Sequence, residues 1–341
     1  MIGPWYQDTL TDQRQILSSR VRLARNIQKY RFWQKISSED AAQMVQEAQN
    51  ALNRAGAKLF HQMNVQALGE TEQKVFLEKH IVSPEFLKGT RLPTSLLISD
   101  DQNISVMLNE EDHIRIQSIQ PGDHLAEALA KANQIDDLIE ESVEYAFHPE
   151  YGYLTACPTN TGTGLRASFM IHLPCLERCD LLKNLLPTIS KFGITLRGIY
   201  GEGTAPMGSI YQISNQTTLG KSEDDIIQGL QNVTNTVIEK ENHAMEKMIA
   251  SHKDDTENTI YRAYGTLAYS RKITAKEAMD MLSLIRLGYM AGLLEKPKPA
   301  KQIYQIMMEI QPGHLMRIAG REMNEGERDI ARAKYLRDIF V

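Results

Sequence analysis

The sequence predicts an α+β protein, an antiparallel sheet flanked by helices and followed by a small all-helical C-terminal domain. Three observations lead there. Short runs of β-type residues recur between 94 and 214, several alternating apolar with polar side chains at the strand's period of two. Between them, apolar residues repeat at helical spacing. Beyond about residue 250 every cue is helical, and the polar stretch SHKDDTEN at 251–258 marks a boundary between domains of 1–250 and 251–341.

Taken in order, Ser18-Ser19-Arg20-Val21-Arg22-Leu23 is strand-like, and residues 38–56 are rich in Ala, Gln, Glu and Met behind the possible caps Ser37 and Ser38. Leu96–Ser99, Ile104–Leu108 and the alternation of Ile114 and Ile116 with Arg115 and Gln117 form a meander that Pro121-Gly122-Asp123 closes. Leu125, Leu129, Ala132, Ile135, Leu138 and Ile139 then trace a helix over 124–144, with Asp123 as its expected N-cap. Strand signals return at 151–156, 165–173, 194–200 and 209–214. Ser222 and the acids at 223–225 open a helix whose stripe Ile226, Leu230, Val233, Val237 and Met245 ends near 250. The boxes Thr274-x-x-Glu277 and Asn324-x-x-Glu327 start later helices, and Lys296-Pro297-Lys298-Pro299 breaks between them.

Composition narrows the function. The 341 residues carry 38 Lys and Arg against 43 Asp and Glu, a net charge of −5, which disfavours nucleic acid as the main partner. No apolar run approaches the roughly 18 residues of a membrane span, and MIGPWYQDTL is unlike a signal peptide, so a cytoplasmic protein is expected. Cys157, Cys175 and Cys179 cannot staple a chain of this length and make a poor zinc site, and Cys175 and Cys179 read as packing residues on a helix.

Arg20, Arg22, Arg115, Arg166 and Arg197 all stand in strand-like segments opposite apolar neighbours. Any one of them is explained by solvating an open sheet face. As a set they would repel one another unless a polyanion lies between them, and triphosphate suits bidentate guanidinium forks. No P-loop and no protein-kinase motif set is present, so the phosphate cradle must be of another kind; Asn160-Thr161-Gly162-Thr163-Gly164 offers small residues and backbone amides, as ordinary loops also do. Asn109-Glu110-Glu111-Asp112-His113 is either a solvated charged turn or a source of catalytic carboxylates. Glu202, between Gly201 and Gly203, has open access, and Cys157 before Pro158 is either an inert thiol or one presented at a strand end.

SSRVRLARN at 18–26, NEEDH at 109–113, CPTNTGTGLRAS at 157–168 and RGIYGEG at 197–203 resemble, in order, the motifs of the ATP:guanidino phosphotransferases, the creatine and arginine kinases with the bacterial protein arginine kinase. The resemblance implies a phosphagen-kinase catalytic domain of glutamine-synthetase-like fold, using ATP with Mg²⁺ carried by the nucleotide and no metal-binding side chains. It implies an ATP site drawn from Ser18, Ser19, Arg20, Val21 and Arg22, His80, Arg115, the run Arg166, Ala167, Ser168, Phe169 and Met170, and the run Arg197, Gly198, Ile199, Tyr200, Gly201 and Glu202. It also implies that Glu111 and Glu202 bracket the acceptor guanidinium, with the Cys157 thiol against it. A guanidinium keeps its proton to above about pH 12 and is a poor nucleophile; two carboxylates orient it and take up the proton as the N–P bond forms.

Departures from the small-molecule kinases point to the protein-directed branch. Only 17 residues precede Ser18, leaving no room for the helical domain that closes over a free guanidino acid, so a bulkier acceptor is expected. The helical C-terminus carries Arg328-Asp329-Ile330-Ala331-Arg332-Ala333, which resembles the R-D-x-x-R-A motif that senses phosphoarginine, with Arg328 and Arg332 one turn apart and Asp329 and Ala333 beside them. The expectation is a protein-arginine kinase that marks proteins for degradation in stress, is itself regulated allosterically and is a homodimer or larger. Its expected partners are protein substrates with exposed arginine, a zinc-binding activator, a Clp unfoldase and a heat-shock repressor. A small-molecule guanidino kinase and a non-catalytic protease adaptor are the rival readings.

Overall fold

The computed structural model describes residues 4–7, 14–54, 60–88, 92–198 and 206–341. Ten strands and eleven α-helices are formed among them. In chain order they are β1 (Ile16–Arg25), α1 (Ser38–Arg54), β2 (Phe60–Met63), α2 (Glu70–Glu78), α3 (Pro84–Lys88), β3 (Ser95–Ser99), β4 (Ile104–Leu108), β5 (Ile114–Pro121) and α4 (Leu125–Glu140). There follow β6 (Phe147–His148), β7 (Gly152–Tyr153), β8 (Leu165–His172), α5 (Pro174–Arg178), α6 (Leu182–Lys191), β9 (Ile194–Gly198) and β10 (Ile210–Asn215). The remainder is helical: α7 (Glu223–Tyr269), α8 (Ala275–Met290), α9 (Ile303–Glu309), α10 (Pro312–Ala319) and α11 (Glu325–Phe340).

Eight strands form one sheet in the order β2-β3-β4-β5-β1-β8-β10-β9. The meander β2 to β5 is antiparallel, with Phe60 opposite Ser99, Leu96 opposite Met107 and Met107 opposite Arg115. β1 and β8 also run antiparallel, because the Ala24 N–H donates to the Gly164 carbonyl and the His172 N–H to the Gln15 carbonyl. Leu165, Ala167, Phe169 and Ile171 of β8 are fully buried, as alternation requires, but Ser168, Met170 and His172 on the other side are buried too. Both faces of this central strand are therefore covered.

By its contacts the chain divides into two compact units. One holds Ser19–Ser168 and Ser214–Leu230; the other holds Tyr6–Ser18, Phe169–Ile213 and Gln231–Val341. In the first, α4 packs on β5, burying Leu125, Ala128, Ala132, Ile135 and Ile139. A second core under the meander joins Val65, Phe76, Ile81 and Phe86 to Leu96, Ile98 and Met107. In the second unit α8 packs against α9, burying Leu282, Ile285, Ile306 and Met307.

Several local expectations change. Asp123 is not the N-cap of α4: His124 occupies that position without a capping hydrogen bond from its side chain, and its N–H is taken by Ser19 Oγ at 2.8 Å. The strand expected over 151–156 contracts to β7, paired only with β6, because the glycine-rich turn folds back on it. The helix expected to end near 250 does end there: non-helical dihedrals at His252 (φ −142°, ψ 43°) break α7 into two helices that meet at a kink, the second starting within the polar stretch 251–258 and running to Tyr269. Cys175 is buried, whereas Cys179, expected to pack, caps the end of α5 and is exposed. The Ser37 cap is present, and Asn324 forms the full reciprocal box with Glu327.

Candidate active site

Three arginines of the first unit converge on one cavity. Val21 and Leu23 are buried under β1 while Arg22 stands on its other face; Arg115 lies between buried Ile114 and Ile116, and Arg166 between buried Leu165 and Ala167. With Glu111, Cys157 and the loop residues Thr159, Asn160 and Gly164, these arginines line a space of about 80 Å³. Desolvation and the like charges of Arg20, Arg166 and Arg115 push the Arg22 guanidinium well below its usual pKa, with Glu110 opposing. Its buried Nε has no hydrogen-bond partner among the described residues. A crowded set of cations with a buried donor to spare fits an anion such as a phosphate.

Arg115 is held by acids. Its Nη1 pairs with Glu110, which is buried and also bonded by Ser83 Oγ, and its Nη2 lies 3.4 Å from Glu111 Oε2. Of the charged turn 109–113 only Glu111 opens to the cavity, its carboxyl pKa raised by partial burial against the opposing effect of Arg115. The others are structural. Asp112 accepts from Asn26 Nδ2 and from the Ala156 N–H, each at 2.7 Å. His113 accepts the Ile27 N–H on Nδ1 at 3.1 Å and donates from Nε2 to the Arg31 carbonyl at 2.9 Å, and burial lowers its pKa. Glu111 is thereby carried on a turn with almost no freedom.

The glycine-rich loop is not a fully open amide cradle, because four of its five N–H groups are already spent: Asn160 on Cys157, Thr161 on Pro158, Gly162 on Tyr153 and Gly164 on Asn160. Its glycines answer to packing instead. A Cβ on Gly164 (φ +68°) would lie 2.5 Å from Arg25 Nη1 and 2.6 Å from the Ala24 carbonyl oxygen, and one on Gly162 (φ +123°) would meet the backbone of Thr218 at 2.8 Å. Cys157 precedes the 3₁₀ turn Pro158–Asn160, half-exposed, with Sγ 3.1 Å from Thr159 Oγ1.

Other expected site residues stand as follows. Ser18, Ser19, Val21, Ala167, Ser168, Phe169 and Met170 are all buried, so in both runs the arginines are the side chains left to meet a ligand. Ser19 Oγ is committed to the turn before α4, donating to the Gly122 carbonyl at 2.7 Å. His80 has a left-handed backbone (φ 58°), and desolvation, with Arg20 adding to it, depresses its pKa to about 3. Arg197 and Gly198, at the end of β9, belong to the other unit, and Arg197 Nε donates to Thr195 Oγ1 at 3.2 Å. Ile199, Tyr200, Gly201 and Glu202 lie outside the described residues.

The pair expected to clamp phosphoarginine is asymmetric. Arg332 is 1% exposed and donates to the Ile310 and Ile273 carbonyls at 3.0 and 2.9 Å and to Asp329 Oδ1 at 2.6 Å, while half-buried Arg328 donates to the Met323 carbonyl at 2.7 Å. The two do not form an open double fork, because the helix turns Arg332 and Asp329 into the core.

Arg25 escaped the sequence reading. It lies fully buried over the Tyr153 ring at 3.6 Å, bonds Asp136 Oδ2 through Nε and Nη2 at 3.0 and 2.7 Å, and holds the Thr163 carbonyl at 2.9 Å. Its position in β1 was the available signal: it shares the parity of Val21 and Leu23, and an arginine on an apolar face requires an acid partner.

The fold is shared with solved guanidino kinases. A taurocyamine kinase from Schistosoma mansoni superposes with a TM-score of 0.63 at 24% identity over 79% of this chain, which spans 39% of that duplicated protein. A lombricine kinase superposes with a TM-score of 0.60 at 23% identity, over 74% of this chain and 71% of that one. The family model "ATP:guanido phosphotransferase, C-terminal catalytic domain" matches residues 43–244, and "Protein-arginine kinase McsB C-terminal domain" matches 253–341. Proteins named protein-arginine kinase are 42% identical in Halalkalibacterium halodurans (98% of this chain, 94% of that protein) and in Bacillus subtilis (99% and 93%), and 44% identical in Bacillus cereus (99% and 95%). The chain belongs to the protein-arginine kinase family of ATP:guanido phosphotransferases.

Proposed function

We propose that this chain transfers the γ-phosphoryl group of ATP to arginine side chains of proteins. The observation that carries the reading is the meeting of Arg22, Arg115 and Arg166 with Glu111 and Cys157 around one cavity. The arginines, joined by Arg20 and Arg197, neutralise the phosphates, and His80 contacts the nucleoside. Mg²⁺ enters with the nucleotide and screens charge on the transferring group. Glu111, with Glu202 from the glycine-flanked motif, orients the planar guanidinium in line with the γ-phosphorus and accepts its proton as the N–P bond forms and the bond from that phosphorus to the departing ADP oxygen breaks. The raised pKa of Glu111 makes it a better base than an exposed carboxylate. Cys157, in the lining of the same cavity, lies against the guanidinium.

The match of 253–341 to the C-terminal domain of protein-arginine kinases supports a protein acceptor and regulation through 328–333. On this reading the modified proteins are marked for degradation in stress, within the cytoplasm, and the chain works as a dimer or larger with a zinc-binding activator, a Clp unfoldase and a heat-shock repressor as partners. No helix among the described residues is long and apolar enough to cross a membrane.

The test supplies Mg²⁺-ATP with either an unfolded protein or free arginine and looks for acid-labile phosphate on arginine. Label on protein arginine that disappears in Glu111→Gln is the expected result. Label on free arginine alone identifies a small-molecule kinase, and no label on either, an adaptor.

A further inference from the structure

A kinase acting on an arginine within a polypeptide has to hold the chain on either side of that residue, and the cavity of about 80 Å³ is too small to do so. A groove of about 920 Å³ lies in the same unit, its floor made by Tyr30, Phe32, Phe147 and Leu154 and its rim carrying Arg31 and Lys35. Phe147 is 55% exposed, a large apolar surface left in water.

The groove lies near the candidate site, and the two share a hydrogen-bonded frame. Leu154 lies three residues before Cys157, so their Cα atoms are at most about 10–11 Å apart. Asn26 Nδ2 bonds both the Leu154 carbonyl, at 3.0 Å, and Asp112, the residue after Glu111. His113 meets the rings of Tyr30 and Phe32 edge-on at 6.3 and 6.4 Å, and its Nε2 holds the Arg31 carbonyl. One hydrogen-bonded frame therefore fixes Glu111 and Cys157 at one end and the aromatic floor at the other.

We propose that this groove docks the acceptor polypeptide, taking an apolar side chain two to four residues from the arginine to be phosphorylated, with Arg31 and Lys35 favouring acidic residues beside it. Three residues of extended chain span about 10 Å, enough to cover the at most about 10–11 Å between Leu154 and Cys157. The occupant is an unfolded or extended segment, since a folded protein buries the apolar side chains the floor would contact. The inference rests on the protein-arginine acceptor proposed above.

The experiment compares wild type with Phe147→Ser and Lys35→Glu, both at exposed positions outside the catalytic set, on two unfolded polypeptides of one arginine each: one with leucine three residues away, one with serine there. Wild type should prefer the leucine polypeptide. Phe147→Ser should raise KM for that polypeptide roughly tenfold, as loss of part of a buried aromatic contact predicts, and should erase the preference, leaving KM for ATP unchanged. Lys35→Glu should selectively weaken acidic polypeptides. Equal KM values in wild type and Phe147→Ser overturn the groove while leaving the protein kinase standing. A change in assembly mass without a change in KM overturns it too, by making the face a contact between copies of this chain. No phosphorylation of either polypeptide by wild type removes the proposed function itself.

Discussion

Replacing Arg25 with alanine removes both nitrogens that hold Asp136, the bond to the Thr163 carbonyl and the cation lying over Tyr153. Asp136 is 5% exposed, so its carboxylate would be left uncompensated in the core. Breaking such a buried pair from one side costs about 3–5 kcal/mol. At about 2–4 °C per kcal/mol for a unit of this size, the melting temperature should fall by roughly 6–20 °C. Arg25→Met combined with Asp136→Leu removes both charges together and should recover most of the loss, since apolar replacements of a buried pair are often neutral. The double variant should nevertheless remain slow, because the turn 161–164 lining the site has lost its anchor. Thermal melts and steady-state phosphorylation on all three proteins give the answer. A melt of Arg25→Ala within a degree of wild type would refute the reasoning, as would a double variant no more stable than the single one.

Stability should fall as pH drops from 7 to 5. Burial holds His113 and His172 below the usual imidazole pKa, joined at His172 by the charge of Arg286, and His80 is brought to about 3. The unfolded chain gains protons near pH 6.5 that the folded chain refuses, so stability is fully present above that pH and declines below it. Urea unfolding across the range should show this slope, flattened in His172→Gln; a flat wild-type profile contradicts it. Cys157→Ser should slow turnover without abolishing it, and a thiol reagent should inactivate the wild type but not the variant; equal inactivation of both would implicate exposed Cys179. Arg328→Ala should cost about 1 kcal/mol of stability, one hydrogen bond's worth, and abolish any response of activity to added phosphoarginine. Arg332→Ala should cost several kcal/mol because it strands Asp329; a response retained in Arg328→Ala would sink the regulatory role.

The arginine rows were legible because a strand's period of two sorts side chains without knowledge of the neighbouring strand, so Arg22, Arg115 and Arg166 could be set on one kind of face from the sequence. The turn 109–113 was legible only as a cluster. Which of its acids meets the cavity depends on Asn26 and Ala156, far away in sequence, capturing Asp112 and leaving Glu111. The glycines of 162 and 164 suggested approach by a phosphate, yet what approaches them is the protein's own backbone at Thr218 and Ala24. The spacing of Arg328 and Arg332 gave their helix face, but the depth of Arg332 is decided by the end of α9 and the turn before α8, whose carbonyls at Ile310 and Ile273 receive it. Local pattern reports direction; burial is a property of the assembled unit.

Arg115 carries a consequence for ligand exchange. Its guanidinium is shared between Glu110 and Glu111 before anything binds. A phosphate arriving there has to compete with two carboxylates, so the net gain is the difference between two ion pairs and is smaller than the number of arginines suggests. When that phosphate leaves, the carboxylates are in place to receive Arg115 at once. On the proposed function, the paired carboxylates would loosen the grip of Arg115 on a phosphate and so favour release of the product.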